Sequence, residues 1–391
     1  MINLKVFANF FRSTSAGGIL LIICVILSLG VANSAWSNGF SELLNTEIGY
    51  NSAALHLKYP VLLWINDGLM AIFFLLVGLE IKREMVEGEL SSVRQASLPV
   101  LAAIGGVAVP ALIYTAFNFR DSDSAGGWGI PMATDIAFAL GILSLLGNRV
   151  PVGLKIFLAA LAIVDDLIAI LVIAIFYSAA LNFMYLGYAV GIFILQLIFN
   201  RLGIKNLLFY ILPGIVMWYF IHHSGIHATI AGVLTALTLP TNEDATDSPL
   251  EKLEHLLTKP VNFVIMPIFA IANTNITFES GMVGQLTSNL SLGILLGLFL
   301  GKPVGIFLMS WLSVRSGISQ LPADTNWTHV LGLGLLGGIG FTMSIFIALL
   351  SFDDAAYQSE AKFAILLASI LSGICGFWIL KIVGRKSALT E

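Results

Sequence analysis

The sequence of 391 residues is 58% hydrophobic and only 11% charged, and its formal net charge is -4. Soluble domains usually carry about 25% charged residues, so this composition excludes a water-soluble globular protein. The basic residues are spread along loops and do not form a nucleic-acid-binding patch. Cys24 and Cys375 lie far apart within apolar runs, so neither a disulfide framework nor a zinc site is expected.

Apolar runs of roughly 17–25 residues recur along the whole chain, and each is long enough to cross a bilayer as a helix. These runs are continuous rather than alternating, which excludes a β-barrel. We therefore predict an all-α polytopic membrane protein, with residues 1–391 forming a single transporter domain of about twelve transmembrane helices. The predicted spans lie near 17–35, 60–84, 96–117, 129–146, 154–177, 183–200, 206–221, 226–239, 259–274, 290–312, 328–350 and 363–382.

The distribution of lysine and arginine predicts the orientation of these spans. With the N-terminus in the cytoplasm, nearly all basic loop residues are inside, and only Lys58, Arg120 and Lys362 are outside. Both termini are then cytoplasmic. The first apolar run, Ile19 to Val31, also fits a cleaved signal peptide. We interpret it as an uncleaved first span, because the rest of the chain is membrane-embedded as well.

The outside segment 47–58 alternates partly around Asn51 and Ser52. This pattern fits a small β-hairpin and an irregular loop equally well. At the inner end of the second span, Glu80, Arg83 and Glu84 share one helix face. They fit either a solvated helix end or a pH-responsive cluster of carboxylates.

The fourth span contains Pro131 and glycines near its middle, followed by Thr134 and Asp135. The eleventh span is interrupted by glycines in the same way, and a polar cluster again follows. Glycine alone also serves close helix packing in membranes. The two spans share the same pattern, and they are an odd number of spans apart, so they run through the membrane in opposite directions. We therefore predict a pair of broken helices in an inverted-repeat transporter.

Three further charges stand out near the middle of predicted spans, namely Asp165, Asp166 and Lys302. A charge at mid-bilayer costs about 2.5–3.5 kcal/mol on the mildest scale, so an ion or proton pathway is the better hypothesis than a structural role. Neighbouring helix positions differ by about 100°, so the two aspartates face different surroundings. An aspartate that faces a water-filled funnel and an aspartate beside Lys302 would have different pKa values, and the titration of each would depend on the charge of the other.

Two histidines complete the candidate residues. Glu254 and His255 lie in a polar inside loop, where a solvated surface and a pH-responsive cluster are the two interpretations. His227, at the start of the eighth span, fits a structural role better than a functional one.

These segments together resemble the NhaA family of sodium/proton antiporters. The motifs stand in the family's order and span essentially the whole chain: Leu63–Glu80, Ala133-Thr-Asp-Ile-Ala-Phe-Ala-Leu-Gly141, Asp165-Asp166-Leu167, Gly301-Lys302-Pro303 and Gly338-Ile-Gly-Phe-Thr-Met-Ser344. The resemblance implies an NhaA-type fold of twelve helices with inverted repeats in spans 3–5 and 10–12. It also implies crossed, broken fourth and eleventh helices, and an interface part comprising spans 1, 2, 8 and 9 with the outside hairpin.

The resemblance further implies electrogenic exchange of Na⁺ or Li⁺ for H⁺, with two protons per sodium, alkaline activation and no cofactor. It places the protein in the bacterial inner membrane as a homodimer joined through the hairpin. Asp166 matches the principal cation ligand, Asp165 its neighbour paired with Lys302, and Thr134 and Asp135 the broken-helix residues. The remaining matches are accessory positions at Asp67, His227 and Gly340, and pH-response positions at Glu80, Arg83, Glu84, Glu254 and His255. Thr258 stands where the best-known members have a second histidine, which leaves the pH set-point open.

Two other functions are weaker hypotheses. An intramembrane aspartyl protease would place its aspartates in Tyr-Asp and Gly-x-Gly-Asp contexts, whereas Asp135 follows a threonine and Asp165 a valine. A sodium-coupled solute symporter would need a further polar cluster for an organic substrate, and the sequence offers no obvious one.

Overall fold

Helices make up most of the chain that the computed structural model describes, which is residues 16–52, 56–178, 180–241, 248–278 and 281–387. Long apolar runs fold this way because intrahelical hydrogen bonds satisfy every backbone group without water. The helices are α1 (Ala16–Ala32), α2 (Ser37–Asn45), α3 (Val61–Val86), α4 (Val93–Asn118), α5 (Ser122–Met132), α6 (Ile136–Leu145), α7 (Val152–Phe176), α8 (Phe183–Arg201), α9 (Leu208–Ser224), α10 (Ile230–Thr238), α11 (Pro249–Asn273), α12 (Asn289–Arg315), α13 (Trp327–Gly337), α14 (Phe341–Ser351) and α15 (Ala355–Ser387).

Seven helices within the described ranges are long and apolar enough to cross a membrane, namely α3, α4, α7, α8, α11, α12 and α15. Three bent pairs, α1–α2, α5–α6 and α13–α14, raise the number to as many as ten if each pair is one span. The predicted multi-pass helical membrane protein is therefore confirmed. The predicted seventh and eighth spans correspond to α9 and α10, which have only 17 and 9 residues. The number of twelve spans stays a prediction.

The two predicted interruptions are present as bends. Helices α5 and α6 meet at 41°, and α13 and α14 meet at 47°. The first of these pairs begins at Ser122, well before the predicted start near 129, because the Asp121 side chain caps its first turn. The breaks themselves leave helical ends, with their unsatisfied carbonyl and amide groups, inside the protein.

The first predicted span, near 17–35, was too long. Helix α1 ends at Ala32, and the chain turns by 109° into α2, which the sequence did not indicate. Asn33 donates its side-chain amide to the Leu29 carbonyl, and Ser34 donates its hydroxyl to the Val31 carbonyl. The Ser34 backbone N–H donates to the Val31 carbonyl, three residues back, and no longer to the carbonyl four residues back, so the α-helical pattern ends here.

The segment 47–60 forms the β-hairpin and not the irregular loop. Strands β1 (Glu47–Ile48) and β2 (Tyr59–Pro60) are antiparallel, with Glu47 opposite Pro60 and Ile48 opposite Tyr59. Glu47 also forms an ion pair with Lys58 at 3.0 Å. The tip of the hairpin, residues 53–55, lies outside the described residues.

The chain separates into two compact units. The first unit comprises the described residues of 1–23, 89–169 and 278–391, and the second those of 24–88 and 170–277. Close helix contacts in each unit rely on glycine. In the first unit α4 packs along α12, and a Cβ atom on Gly305 would collide with the Gly105 carbonyl group. In the second unit α3 packs along α10, and a Cβ atom on Gly232 would collide with the Ala71 carbonyl oxygen.

The Gly105–Gly305 contact predicts that a single methyl group is destabilising. We expect Gly305→Ala to lower the stability of the protein by roughly 1–3 kcal/mol, because the added atom has no room between α4 and α12. Gly191→Ala on α8 is the matched control, since nothing lies within 4 Å of its added Cβ atom. That control should be neutral or slightly stabilising. Thermal unfolding in detergent measures both, and equal midpoints would contradict the packing role of Gly305.

Candidate functional site

The two breaks meet inside the first unit. The backbone N–H of Asp135, in the α5–α6 break, donates to the carbonyl of Ile339, in the α13–α14 break, at 2.7 Å. The hydroxyl of Ser344 on α14 donates to the Ile130 carbonyl on α5 at 2.8 Å. Asp135 and Ser344 are almost completely buried. The broken helices therefore cross at their interruptions, and each satisfies backbone groups of the other.

Asp135 caps the amino-terminal ends of both second segments. Its Oδ1 accepts from the Phe138 N–H of α6 at 3.2 Å, and its Oδ2 accepts from the Thr342 N–H of α14 at 3.0 Å. The Thr342 hydroxyl donates to the same Oδ2 atom. Helix amino-termini carry partial positive charge, so one buried carboxylate is balanced by two helix ends.

The carboxyl-terminal ends of the first segments receive donors instead. The Lys302 ammonium donates to the Met132 carbonyl at the end of α5. The Thr134 hydroxyl lies 2.9 Å from the Gly337 carbonyl at the end of α13, and 2.7 Å from Asp165 Oδ2. A hydroxyl carries one hydrogen atom, so Thr134 donates to one of these two oxygens at a time.

Lys302 and Asp165 form a buried ion pair. Lys302 Nζ lies 2.7 Å from Asp165 Oδ2, and both side chains are completely inaccessible to solvent. Lys302 follows a wide π-helical turn in α12 at Gly297–Gly301. Pro303 comes directly after it and has no N–H to donate. The locally irregular backbone of α12 thus presents Lys302 towards α7.

Asp165 and Asp166 lie in the middle of α7, and both are at most 3% exposed. Asp165 Oδ1 is a buried carboxylate oxygen without a hydrogen-bond partner among the described residues. A carboxylate with an open oxygen is a ligand suited to a small hard cation or to a proton. Within the described part of the chain, no group of three or more histidine, cysteine, aspartate or glutamate side chains is placed to hold a metal ion.

Gly340 leaves space for the crossing. A Cβ atom at this position would collide with Ser344 Oγ and lie 2.9 Å from Leu298. The hydroxyl of Ser369 on α15 accepts from the Phe341 N–H next to Gly340, at 3.2 Å. Ser369 and the roles of Thr342 and Ser344 were not predicted from the sequence. The last two lie within the motif that follows the eleventh-span interruption, whereas nothing in the local sequence indicates Ser369.

The predicted pH-response residues come together in the second unit. Arg83 on α3 forms ion pairs with Glu254 on α11 and, at 3.1 Å, with Glu84. Glu80 lies within electrostatic range of these three side chains. His255, next to the buried Glu254, is exposed. The structure therefore places a charge cluster at the carboxyl-terminal end of α3.

A second polar cluster in the same unit surrounds Asp67. Its carboxylate lies 3.1 Å from His222 Nδ1 and 3.5 Å from His227 Nε2, and its carbonyl accepts from the Trp218 indole N–H at 3.2 Å. Tyr59 of β2 packs edge-on against His222 with ring centroids 5.0 Å apart, and burial raises the pKa of the Tyr59 hydroxyl. Sequence analysis missed His222. Its spacing of four residues from Trp218, on one face of α9, is the signal that could have indicated it.

Comparison with known proteins places the chain among sodium/proton antiporters. Residues 8–380 match the family described as Na+/H+ antiporter 1. The chain is 73% identical over 380 residues to Na(+)/H(+) antiporter NhaA 2 of Flavobacterium johnsoniae, covering 97% of this chain and 93% of that protein. It is 52% identical over 383 residues to Na(+)/H(+) antiporter NhaA of Flavobacterium psychrophilum, covering 98% and 97% of the two chains. It is also 48% identical over 388 residues to Na(+)/H(+) antiporter NhaA 1 of Brucella anthropi, covering 97% and 96%.

The buried ion pair predicts that removing one partner destabilises the protein more than removing both partners. We expect Asp165→Asn to destabilise the protein by about 3–5 kcal/mol, because the Lys302 ammonium is left buried without a counter-charge. Adding Lys302→Met to this variant removes the uncompensated charge and should recover most of the loss. Unfolding midpoints of wild type, single and double variants in the same detergent measure the effect. A double variant no more stable than Asp165→Asn would contradict the pairing.

Proposed function

Because the chain belongs to the Na+/H+ antiporter 1 family, we propose that it exchanges Na⁺ for H⁺ across the bacterial inner membrane. Proteins of this family are secondary transporters, so the chain is a transporter and not an enzyme. The observation that carries the proposal is the pair of buried carboxylates, Asp165 and Asp166, in the middle of the membrane helix α7 beside the crossed breaks.

Exchange follows from competition at these carboxylates. In the ionised state their oxygens bind a small hard cation, and in the protonated state they do not. A site that holds either Na⁺ or protons, and that opens to one side of the membrane at a time, moves one ion only in return for the other. Asp166 is the proposed principal ligand, and Asp165 shares the site. Li⁺, a smaller alkali cation with the same preference for oxygen, is proposed as a second substrate.

Asp165 also links the ion to the crossed helices. It shares its Oδ2 with the Lys302 ammonium at 2.7 Å and the Thr134 hydroxyl at 2.7 Å. A cation or a proton on Asp165 weakens its attraction for both donors. Thr134 is then free to donate to the Gly337 carbonyl, and Lys302 keeps the Met132 carbonyl. Occupancy of the site is thereby coupled to the ends of α5 and α13, while Asp135 holds their partner segments in place.

The stoichiometry proposed is two protons per sodium, which makes the exchange electrogenic. Two carboxylates that each lose a proton when one monovalent cation enters would give this ratio. We further propose that both chain termini are cytoplasmic, as the bias of lysine and arginine indicates. The hairpin of β1 and β2 is the proposed contact of a homodimer, and the exposure of its Glu47 and Ile48 side chains is compatible with that role.

Alkaline activation is assigned to the charge cluster of the second unit. Three carboxylates, those of Glu80, Glu84 and Glu254, lie around the Arg83 guanidinium. The exposed His255 is the neighbour of Glu254 and acts on its carboxylate. Protonation of these groups at low pH changes the net charge of the cluster, and therefore the attraction that holds α3 to α11.

The central prediction concerns Asp166. In everted vesicles with an acidic interior, added Na⁺ should dissipate the pH gradient without any organic solute, and Asp166→Asn should abolish the response. Asp353→Asn is the matched control, because this aspartate lies on the exposed connection between α14 and α15. Fluorescence of a pH-gradient dye measures the exchange. Unchanged Na⁺-driven exchange in Asp166→Asn would remove the site assignment, and a requirement for an organic solute would favour a symporter.

The second prediction concerns Glu254. We expect Glu254→Gln to shift the pH dependence of exchange, because Arg83 loses its buried counter-charge. Glu42→Gln on the exposed α2 is the control and should leave the profile unchanged. The exchange assay is repeated across the pH range, with the Na⁺ concentration for half-maximal response recorded at each pH. A profile identical to that of wild type would assign Glu254 to structure alone.

A further inference from the structure

Helix α13, the first segment of the broken eleventh span, begins with a capping box that contains a histidine. The Asn326 side chain accepts from the His329 N–H at 3.0 Å, and in return His329 Nδ1 accepts from the Asn326 N–H at 3.2 Å. The third helical position of this motif is usually Glu or Gln. Those side chains keep an acceptor oxygen at neutral pH, whereas a histidine keeps its acceptor only in one protonation state.

The direction in which pH affects the capping box follows from the donor of its second hydrogen bond, the Asn326 backbone N–H. A backbone N–H always donates, so His329 Nδ1 must be unprotonated for this hydrogen bond to exist. In the protonated imidazolium both ring nitrogens are donors, and the bond to the Asn326 N–H is lost. The added positive charge also lies at a helix amino-terminus, where cations are unfavourable. The capping box is therefore complete at higher pH and incomplete at lower pH.

No described side chain pairs with His329 to stabilise a positive charge on its ring. Its side chain is buried, with 3% exposed, and its Nε2 atom has no hydrogen-bond partner among the described residues. No ion pair to His329 is present in the described part of the chain. Among described side chains, the ionisable groups on the helices packed against α13 and on the preceding loop are Asp324, Lys302 and Arg315, together with Tyr357, Glu360, Lys362, Cys375 and Lys381 on α15.

Three of the basic groups already contact other side chains. Lys302 pairs with Asp165, Arg315 lies over the Trp311 ring, and Lys381 lies over the Trp378 ring. Of the two carboxylates, Glu360 accepts from the hydroxyls of Ser288 and Ser291, and Asp324 is exposed and forms no ion pair with His329. Proton binding at His329 therefore breaks the capping box without gaining an ion pair among the described residues.

Helix α13 connects this cap to the candidate ion site. It has 11 residues and ends at Gly337, whose carbonyl oxygen lies 2.9 Å from the Thr134 hydroxyl. A helix this short depends on its caps, because losing one leaves amides of the first turn unsatisfied. We propose that His329 is a proton-sensitive positioning residue, which fixes the start of α13 at higher pH and releases it at lower pH. The part of this proposal in which His329 regulates exchange rests on the proposed function.

The test uses His329→Gln, which keeps a capping acceptor that does not titrate, and His329→Ala, which has none. Hydrogen exchange by mass spectrometry follows the amides of residues 326–330 in purified full-length protein from about pH 5 to pH 8, where imidazole titrates. Each measured rate is divided by the intrinsic rate for that sequence and pH, because the side chain at position 329 changes the intrinsic rates of the amides of residues 329 and 330. We expect His329→Gln to equal wild type at the alkaline end and to be more protected by about fivefold at the acidic end. His329→Ala should be less protected throughout.

Transport provides the second measurement. In everted vesicles, His329→Gln should retain Na⁺-driven exchange to lower pH than wild type, whereas His329→Ala should lose exchange at higher pH. A constant ratio of protection between wild type and His329→Gln across the pH range would overturn the proton-sensitive cap. Identical pH profiles of transport would overturn its regulatory role. If wild type shows no Na⁺-driven exchange, the proposed function fails, and the hydrogen-exchange result still decides the inference.

Discussion

The requirement that every buried backbone group has a partner governs the first unit. Breaking two helices inside a membrane protein leaves carbonyl and amide ends where no bulk water reaches them. Three side chains take these groups: Asp135 accepts from both amino-terminal ends, and Lys302 and Thr134 donate to the two carbonyl ends. The charges of Asp135 and Lys302 are tolerated at this depth because helix ends of opposite partial charge face them.

The same atoms connect architecture with chemistry. Asp165 binds the two donors that also serve the carbonyl ends, so its charge state enters the balance that holds the breaks. A structural ion pair alone is weak evidence for stability, because desolvation offsets its Coulomb energy. On the proposed function it has a second consequence, because a cation or a proton on Asp165 weakens its attraction for Lys302 and Thr134, and Thr134 then donates to the Gly337 carbonyl instead. The proposed ion site and the ends of the broken helices are thus joined by direct contacts.

The polar groups of the second unit follow a different principle. The partly accessible Arg83 pairs with the buried Glu254 and joins α3 to α11, and Asp67 contacts imidazoles from α9 and from the segment before α10. These clusters lie near helix ends and not at a break, so they satisfy few backbone groups. The pH response of this unit remains a proposal, whereas in the first unit the charges of Asp135 and Lys302 contact the helix ends at the crossing.

The sequence by itself determined the membrane class, most of the spans, the two interruptions and the buried charges, because hydropathy, glycine and proline content and charge are properties of short segments. It also left the hairpin and the loop at 47–58 as equal alternatives, and it missed the turn after Ala32. Only the tertiary structure decided that Ile339 accepts from Asp135, that Ser369 accepts beside Gly340, and that His222 contacts Asp67. Those partners come from segments far apart in the chain, and packing alone brings such segments together. Local patterns specify which groups need a partner, and the fold specifies which partner each group receives.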